Sequence, residues 1–396
     1  MRDLVKLRKL LTLALSAFAL YGSGFDYLNE QNKGLLQTQK EINKRQSQNL
    51  KNSWIEPIVA SYTYTKGERT KTKYFKVSLT QPVFKSGGIY FAIKYADANK
   101  KFLELSTSIS ENQLIKRVYE LVLNLKKLDL QLKQTKLKLK NTDYEIQNKQ
   151  DRFLSGDDDI SFLDRAMLEK NTLLLQLEQL KTTHKKLENS FNNISNYSYH
   201  DIKLPSLELV SKERFITKNL ELQKSKSNIS QKNELKNMTI SNYLPTVSLF
   251  YNYNYQKTKV EPIDKWQKNS FKNYGVTVSM PFSINESRDM EIKKLEVIKA
   301  KLELSQKKRE LKNEYQSVYL DMQMLKRKKE ITSKSIKLYK RLVKTAYNSY
   351  KAGDKTKLDY LRVKNSMKSL EEDLRILDYD MQLEILKLFE KMSEDL

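Results

Sequence analysis

Cysteine is missing altogether from the 396 residues; histidine occurs twice, proline six times and glycine nine times. Each scarcity removes a class of answers. Without cysteine there is no disulfide staple, no thiol nucleophile and no lipid-bearing N-terminal cysteine. His184 and His200 lack ligand spacing, so neither they nor the "DDD" run at 157–159 imply a metal site. Phosphate-binding loops, Gly-x-Ser-x-Gly and zinc motifs are all absent, so neither a cofactor nor an enzyme is expected. Beyond the first twenty residues no run approaches eighteen apolar residues, which excludes a transmembrane helix. Few prolines and glycines beside 31% charged residues favour long helices over a loop-rich globule.

The formal charge of +25 invites a nucleic-acid reading. Lysines, however, alternate with Glu and Gln along helical stretches such as "EIKKLEVIKAKLELSQKKRELKNE" (291–314), the pattern of a solvated helix face. No nucleic-acid-reading motif accompanies them, so no nucleic-acid partner is expected. The N-terminus is more specific. "MRDLVKLRK" is a basic opening, "LLTLALSAFAL" an apolar run and "AFALYGSG" a small-residue cleavage region. Residues 1–24 therefore read as an export signal peptide.

Past the signal, the chain is a duplication. "WIEPIVASYTYT" (54–65) aligns with "NYLPTVSLFYNY" (242–253) with Pro57 on Pro245, and "YFKVSLTQPVFKSGG" (74–88) with "NYGVTVSMPFSINES" (273–287) with Pro82 on Pro281. Each pair precedes a long helical pattern, a glycine turn and a second helical pattern. The turns are "RFLSGDDDISFLD" (152–164) and "SYKAGDKTKLDYL" (349–361). This gives two repeats, 25–200 and 201–396, each a helix, two strands and a helical hairpin. Strands are expected at about 57–65, 74–85, 245–255 and 273–283, and hairpin tips at 154–161 and 351–358.

The strands alternate with period two. Ile58, Ala60, Tyr62 and Tyr64 oppose Val59, Ser61, Thr63 and Thr65; Val247, Leu249, Tyr251, Tyr253 and Tyr255 oppose Thr246, Ser248, Asn252 and Asn254, with Phe250 the exception. A soluble sandwich and a barrel wall share this alternation. The aromatic apolar face, the small polar face and the export signal together favour a wall with lipid outside and water inside. Four strands cannot close a barrel, and open edges are prohibitive in a bilayer, so several copies must share one. The polar segments 65–73 and 256–272 read as external loops.

The helices repeat a heptad: Leu114, Val118, Leu121, Leu125, Leu128, Leu132, Leu139 and Ile146, with Thr135, Thr142 and Lys149 filling gaps, and Leu311, Tyr315, Val318, Met322 and Leu325 in the second repeat. Sustained 3.5 periodicity means supercoiled packing. The pattern from 88 to 153 would make a rod of roughly 100 Å.

"YLPTVSLFYNY", "LTQPVFKSGG", "SMPFSINES" and the twin glycine turns, in this order and twice over, resemble the TolC-like outer-membrane efflux proteins across nearly the whole chain after the signal. The resemblance implies a mainly α fold with a small β part: duplicated long helical hairpins plus four β-strands per subunit. Three subunits would form a 12-stranded outer-membrane β-barrel and a periplasmic α-helical tunnel. It implies an exit duct of a tripartite efflux or type I secretion system, with a homotrimer, a periplasmic adaptor (membrane fusion) protein, an inner-membrane RND or ABC transporter and outer-membrane lipid as partners. The tips, with Gly156, Asp157, Asp158, Gly353 and Asp354, would meet the adaptor. Asp359, Arg362 and Tyr350 would sit at the tunnel constriction; Arg362 departs from a doubly acidic pattern, so a ring of low net charge is expected. The alternative reading is an exported coiled-coil structural or adhesive protein of the cell envelope.

Overall fold

The computed structural model describes residues 24–393 except 158 and 262. The export signal expected at 1–24 thus lies outside the described residues save for Gly24. A 3-10 turn at Gly24–Tyr27 leads into α1 (Glu30–Lys51), β1 (Val59–Lys66), β2 (Thr70–Phe84), α2 (Gly88–Leu154) and α3 (Ile160–Asn192). The second repeat comprises α4 (Lys212–Lys218), α5 (Leu220–Ser241), β3 (Thr246–Val260), β4 (Ile263–Ser279), α6 (Glu286–Ala352) and α7 (Lys357–Phe389). The duplication holds to the residue in the main helices: 22 residues in α1 and α5, 67 in α2 and α6, 33 in α3 and α7. No described helix is long and apolar enough to cross a membrane.

The residues group into two compact units. The first takes residues up to Leu36, Ile109–Leu220 and Glu310 onward. Its core joins Leu28, Val118, Leu121, Leu125, Phe191 and Ile202 with Leu386 of α7. Over 118–125, α2 is buried on nearly every side, Tyr119, Val122 and Leu123 included, because α1, the segment after α3 and the end of α7 all pack around it. The seam threonines Thr135 and Thr142 are buried, and each hydroxyl donates to a carbonyl one turn back, Gln131 and Lys138 respectively. Lys149, on the same seam, holds its ammonium 4.7 Å over the Phe162 ring of α3.

Each repeat closes in the same way. The Asn29 N–H donates to the Ile194 carbonyl at 2.8 Å, tying the start of α1 to the end of α3. In the second repeat Leu220 N–H donates to the Lys391 carbonyl at 2.8 Å, and Asn219 bridges Met392. Between α2, α3 and the segment after α3, His184 Nε2 lies 3.1 Å from Asp129 Oδ1, and the Tyr199 hydroxyl donates to Asp129 Oδ2 at 3.1 Å. His184 is thus a tie between two helices. Burial and the neighbouring Asp129 push the Tyr199 phenol up to about 12.

The second unit takes Gln37–Ser108 and Glu221–Arg309. Its helices pack on small and polar residues, with Ser47, Ala96, Thr107, Ser227 and Ala300 buried. Asn43 Nδ2 donates to Thr107 Oγ1 at 2.8 Å and Gln231 Nε2 to Asn99 Oδ1 at 2.6 Å, so these contacts are specified by hydrogen bonds as well as by shape. Hydrogen bonds from Lys293 and Lys232 hold the Glu296 carboxyl below the usual carboxylate range.

The four strands form one antiparallel sheet in the order β1-β2-β3-β4. Pro82 falls beside a register shift between Pro82 and Phe84, the kind of bulge to which strand prolines are confined, and Pro281 falls just past the end of β4. The polar stretch 256–272, expected as a loop, is instead strand almost throughout: β3 continues to Val260 and β4 begins at Ile263. Likewise β2 begins at Thr70, so 65–73 shrinks to a turn over 67–69. Polarity reports which side chains meet water, but backbone pairing does not depend on it. Thr258 and Lys259 find partners in β2 as regularly as Tyr251 does.

Candidate functional site

The faces of the sheet invert the usual order of a water-soluble protein. Across the strands the register sets up the rows Ala60–Val77–Tyr253–Lys272, Tyr62–Phe75–Tyr255–Ser270 and Leu79–Tyr251–Tyr274 on one face. Apart from Lys272 and Ser270 of β4 these rows are apolar, and their apolar side chains are largely bare: Tyr62 is 63% exposed and Tyr274 80%, as is Val278 on the same face at 70%. Ser248 and Asn254, on the opposite polar face, are buried. On that inner face the Tyr74 hydroxyl donates to Asn254 Oδ1. Phe250, the one aromatic out of phase in β3, pairs in register with Gly275, and its ring covers the spot where a side chain would stand. The missing Cβ of Gly275 is what accommodates it. From Val247 to Tyr255 the apolar run of β3 extends about 27 Å along the strand at about 3.4 Å per residue. At a tilt of about 40° that is roughly 21 Å of height, close to the lipid-facing band of an outer-membrane barrel. The edges β1 and β4 have no further strand beside them among the described residues.

The two hairpin tips are built alike. Gly156 and Gly353 adopt φ of +79° and +87°, the left-handed conformation that closes a helix. Asp157 N–H donates to the Arg152 carbonyl and Gly156 N–H to that of Phe153; Asp354 and Gly353 repeat this onto Ser349 and Tyr350. Both are Schellman closures, which satisfy the last free carbonyls of α2 and α6. The next helices then start from capping side chains. Asp159 accepts from Ser161 N–H at 2.8 Å, and hydrogen bonding to Ser161 holds its carboxyl below the usual range. Thr356 and Asp359 form a reciprocal capping box at the start of α7. Gly156, Asp157, Gly353 and Asp354 are exposed at these tips, with nothing within 4 Å of a Cβ added to either glycine. Asp158 lies outside the described residues.

The three constriction candidates lie close together along α6 and α7. Asp359 is engaged by Thr356, so its carboxylate has a capping role in addition to any other. Arg362 reaches across to α2, where Nη2 lies 2.6 Å from Glu145 Oε2. Tyr350 stacks on Tyr360 with ring centroids 6.4 Å apart and planes 9° from parallel. Glu145 is the partner that no local motif announces, since it stands 217 residues from Arg362. The surrounding groove is lined by Lys138, Lys355 and Arg362 against Glu145, Glu169 and Asp359, an equal number of each sign.

Comparison with known proteins agrees with the fold. The profile of the family described as outer membrane efflux protein matches residues 213–390. No curated protein matches the chain by sequence. Among solved structures, the CmeC outer membrane channel of Campylobacter jejuni superposes with a TM-score of 0.74 at 14% identity, covering 94% of this chain and 86% of that one. VceC, an outer membrane protein of Vibrio cholerae, superposes with a TM-score of 0.70 at 13% identity, covering 91% and 93% respectively. A structure of CusC gives a TM-score of 0.70 at 12% identity over 92% and 89%. At these identities the likeness is one of fold.

Proposed function

We propose that the chain is a TolC-like outer membrane efflux protein, an outer-membrane channel extending into the periplasm, and that it is the passive exit duct of a tripartite efflux or type I secretion assembly; the family match over residues 213–390 and the shared fold support this reading. Three copies pool their four strands into one twelve-stranded barrel, and their helical hairpins form the tunnel. The observation that carries this reading is the sheet itself: its apolar side chains are largely bare, and the outer edges of β1 and β4 have no further strand beside them among the described residues, so one chain alone can neither shield its surface from water nor satisfy its edges in lipid. A periplasmic adaptor meets the tips around Gly156, Asp157, Asp158, Gly353 and Asp354. An inner-membrane transporter of the RND or ABC class supplies the energy, and the duct performs no chemistry.

The constriction is formed by Asp359, Arg362 and Tyr350 together with Glu145. Equal numbers of acidic and basic side chains line the groove, which supports a pore of low net charge with weak block by divalent cations. Planar-bilayer recording of the purified protein tests both ideas. Stepwise ion conductance is expected, with little block by divalent cations. Absence of conductance would contradict the duct, and tight divalent block that vanishes in Asp359→Asn would contradict the balanced constriction.

A further inference from the structure

In the two fully paired rows nearest the turns, lysine crowds one face of the sheet and is absent from the other. The outward rows there are Tyr64–Lys73–Lys257–Lys268 and Lys66–Lys71–Lys259–Trp266, six lysines in eight positions. The inward rows at the same level are Thr63–Tyr74–Gln256–Asn269 and Thr65–Thr72–Thr258–Gln267, with no cationic residue. No acidic residue stands in any of the four rows; Glu68 and Glu261 lie in the turns beyond them.

Register sets these charges side by side. Residues directly opposite on one face hold their Cβ atoms about 4.5–5.5 Å apart, and like charges set there repel. Lys73 faces Lys257, which faces Lys268, and Lys66 faces Lys71. The cationic rows also continue the apolar band without a gap. Lys73 lies 5.1 Å over the Trp266 ring and Lys257 lies 5.7 Å over that of Tyr255. Rings and lysines interleaved where the apolar band ends suit a membrane boundary, where ring faces meet the acyl edge and ammonium groups meet phosphate.

We propose that these lysines form a girdle that binds the phosphate groups of outer-leaflet lipid headgroups. The inference rests on the apolar face of the sheet meeting lipid. The lysines supply point charges to phosphate oxygens, and bound phosphates remove the cross-strand repulsion. Lipid with phosphate monoesters thereby becomes a structural partner of the barrel wall.

The test uses the full-length protein reconstituted into phosphatidylcholine vesicles with or without a bisphosphorylated glycolipid or its dephosphorylated form. Lipid retained after detergent extraction is counted by native mass spectrometry. Each lysine engaged with an anionic headgroup is worth about fivefold in retention, so a preference of at least about tenfold for the phosphorylated lipid is expected. K71Q/K73Q/K257Q/K268Q should abolish the preference, and Arg at the same four positions should keep it. Equal retention of both lipids, or a preference that survives the four Gln substitutions, would overturn the girdle. Displacement of the lipid by inorganic pyrophosphate at comparable concentration would also overturn it, as a site for a soluble anion. If the protein enters vesicles yet ignores phosphate, only the girdle falls; if it enters no vesicle, the barrel wall falls with it.

Discussion

Tyr274 and Asn273 are neighbours in β4 on opposite faces, and both are exposed in the single chain. Tyr274 belongs to the row Leu79–Tyr251–Tyr274, near the middle of the apolar run; Asn273 belongs to Ser78–Asn252–Asn273. In a lipid-facing wall, arginine at 274 must enter the hydrocarbon close to its midplane, which costs about 2–4 kcal/mol. One barrel built from three chains takes that cost three times over, roughly 6–12 kcal/mol. Arginine at 273 stays among water and polar side chains and should change stability by less than about 0.5 kcal/mol. The paired variants Tyr274→Arg and Asn273→Arg are compared by their urea unfolding midpoints in vesicles, read from the gel mobility of the folded form. The expected result is a large loss for the first and near silence for the second. A sheet bathed in water on both faces predicts silence for both, since neither side chain is packed. Equal effects, or a larger loss from Asn273→Arg, would refute the assignment of the two faces.

The helical unit supports three more tests. Gly353→Ala forces a Cβ into left-handed backbone with open space around it, so the cost is conformational, about 1–2 kcal/mol, and confined to the tip; hydrogen exchange should quicken there and not in the Leu125 core. Arg362→Ala breaks a pair whose side chains are each about one-third exposed, so stability should fall by less than about 1 kcal/mol while single-channel conductance rises; unchanged conductance would remove the pair from the constriction. Burial pushes the phenols of Tyr119 and Tyr199 up to about 12 from the ordinary 10. The fold holds both in the neutral form, so their contribution is complete below pH 10 and is lost as pH rises through 12. The urea midpoint should fall over that window, and less steeply in Tyr119→Phe/Tyr199→Phe; a flat midpoint would contradict it.

The features legible in the sequence are those that depend on near neighbours in the chain. Strand alternation, the heptads and the two glycine closures each need only a few residues of context, and the internal repeat confirms each by a second copy. The burial of Tyr119, Val122 and Leu123 off the heptad seam was not legible, because the segments that cover them come from Leu28, Ile202 and Leu386. Glu145 was missed as the partner of Arg362 for the same reason: a salt bridge between distant helices leaves no spacing to recognise. The strand at 256–272 was hidden by its polarity, since lysine and threonine look like loop residues until their backbone finds a partner. Phe250 broke its alternation, and only the register with Gly275 explains why.

On the shared-barrel reading, one chain holds too little wall for a pore and must pool it with other copies. Light scattering on the detergent-extracted particle, with the detergent contribution subtracted, counts the polypeptides directly. Three per particle is the predicted result; a monodisperse single chain in detergent, still soluble when the detergent is withdrawn, would contradict it.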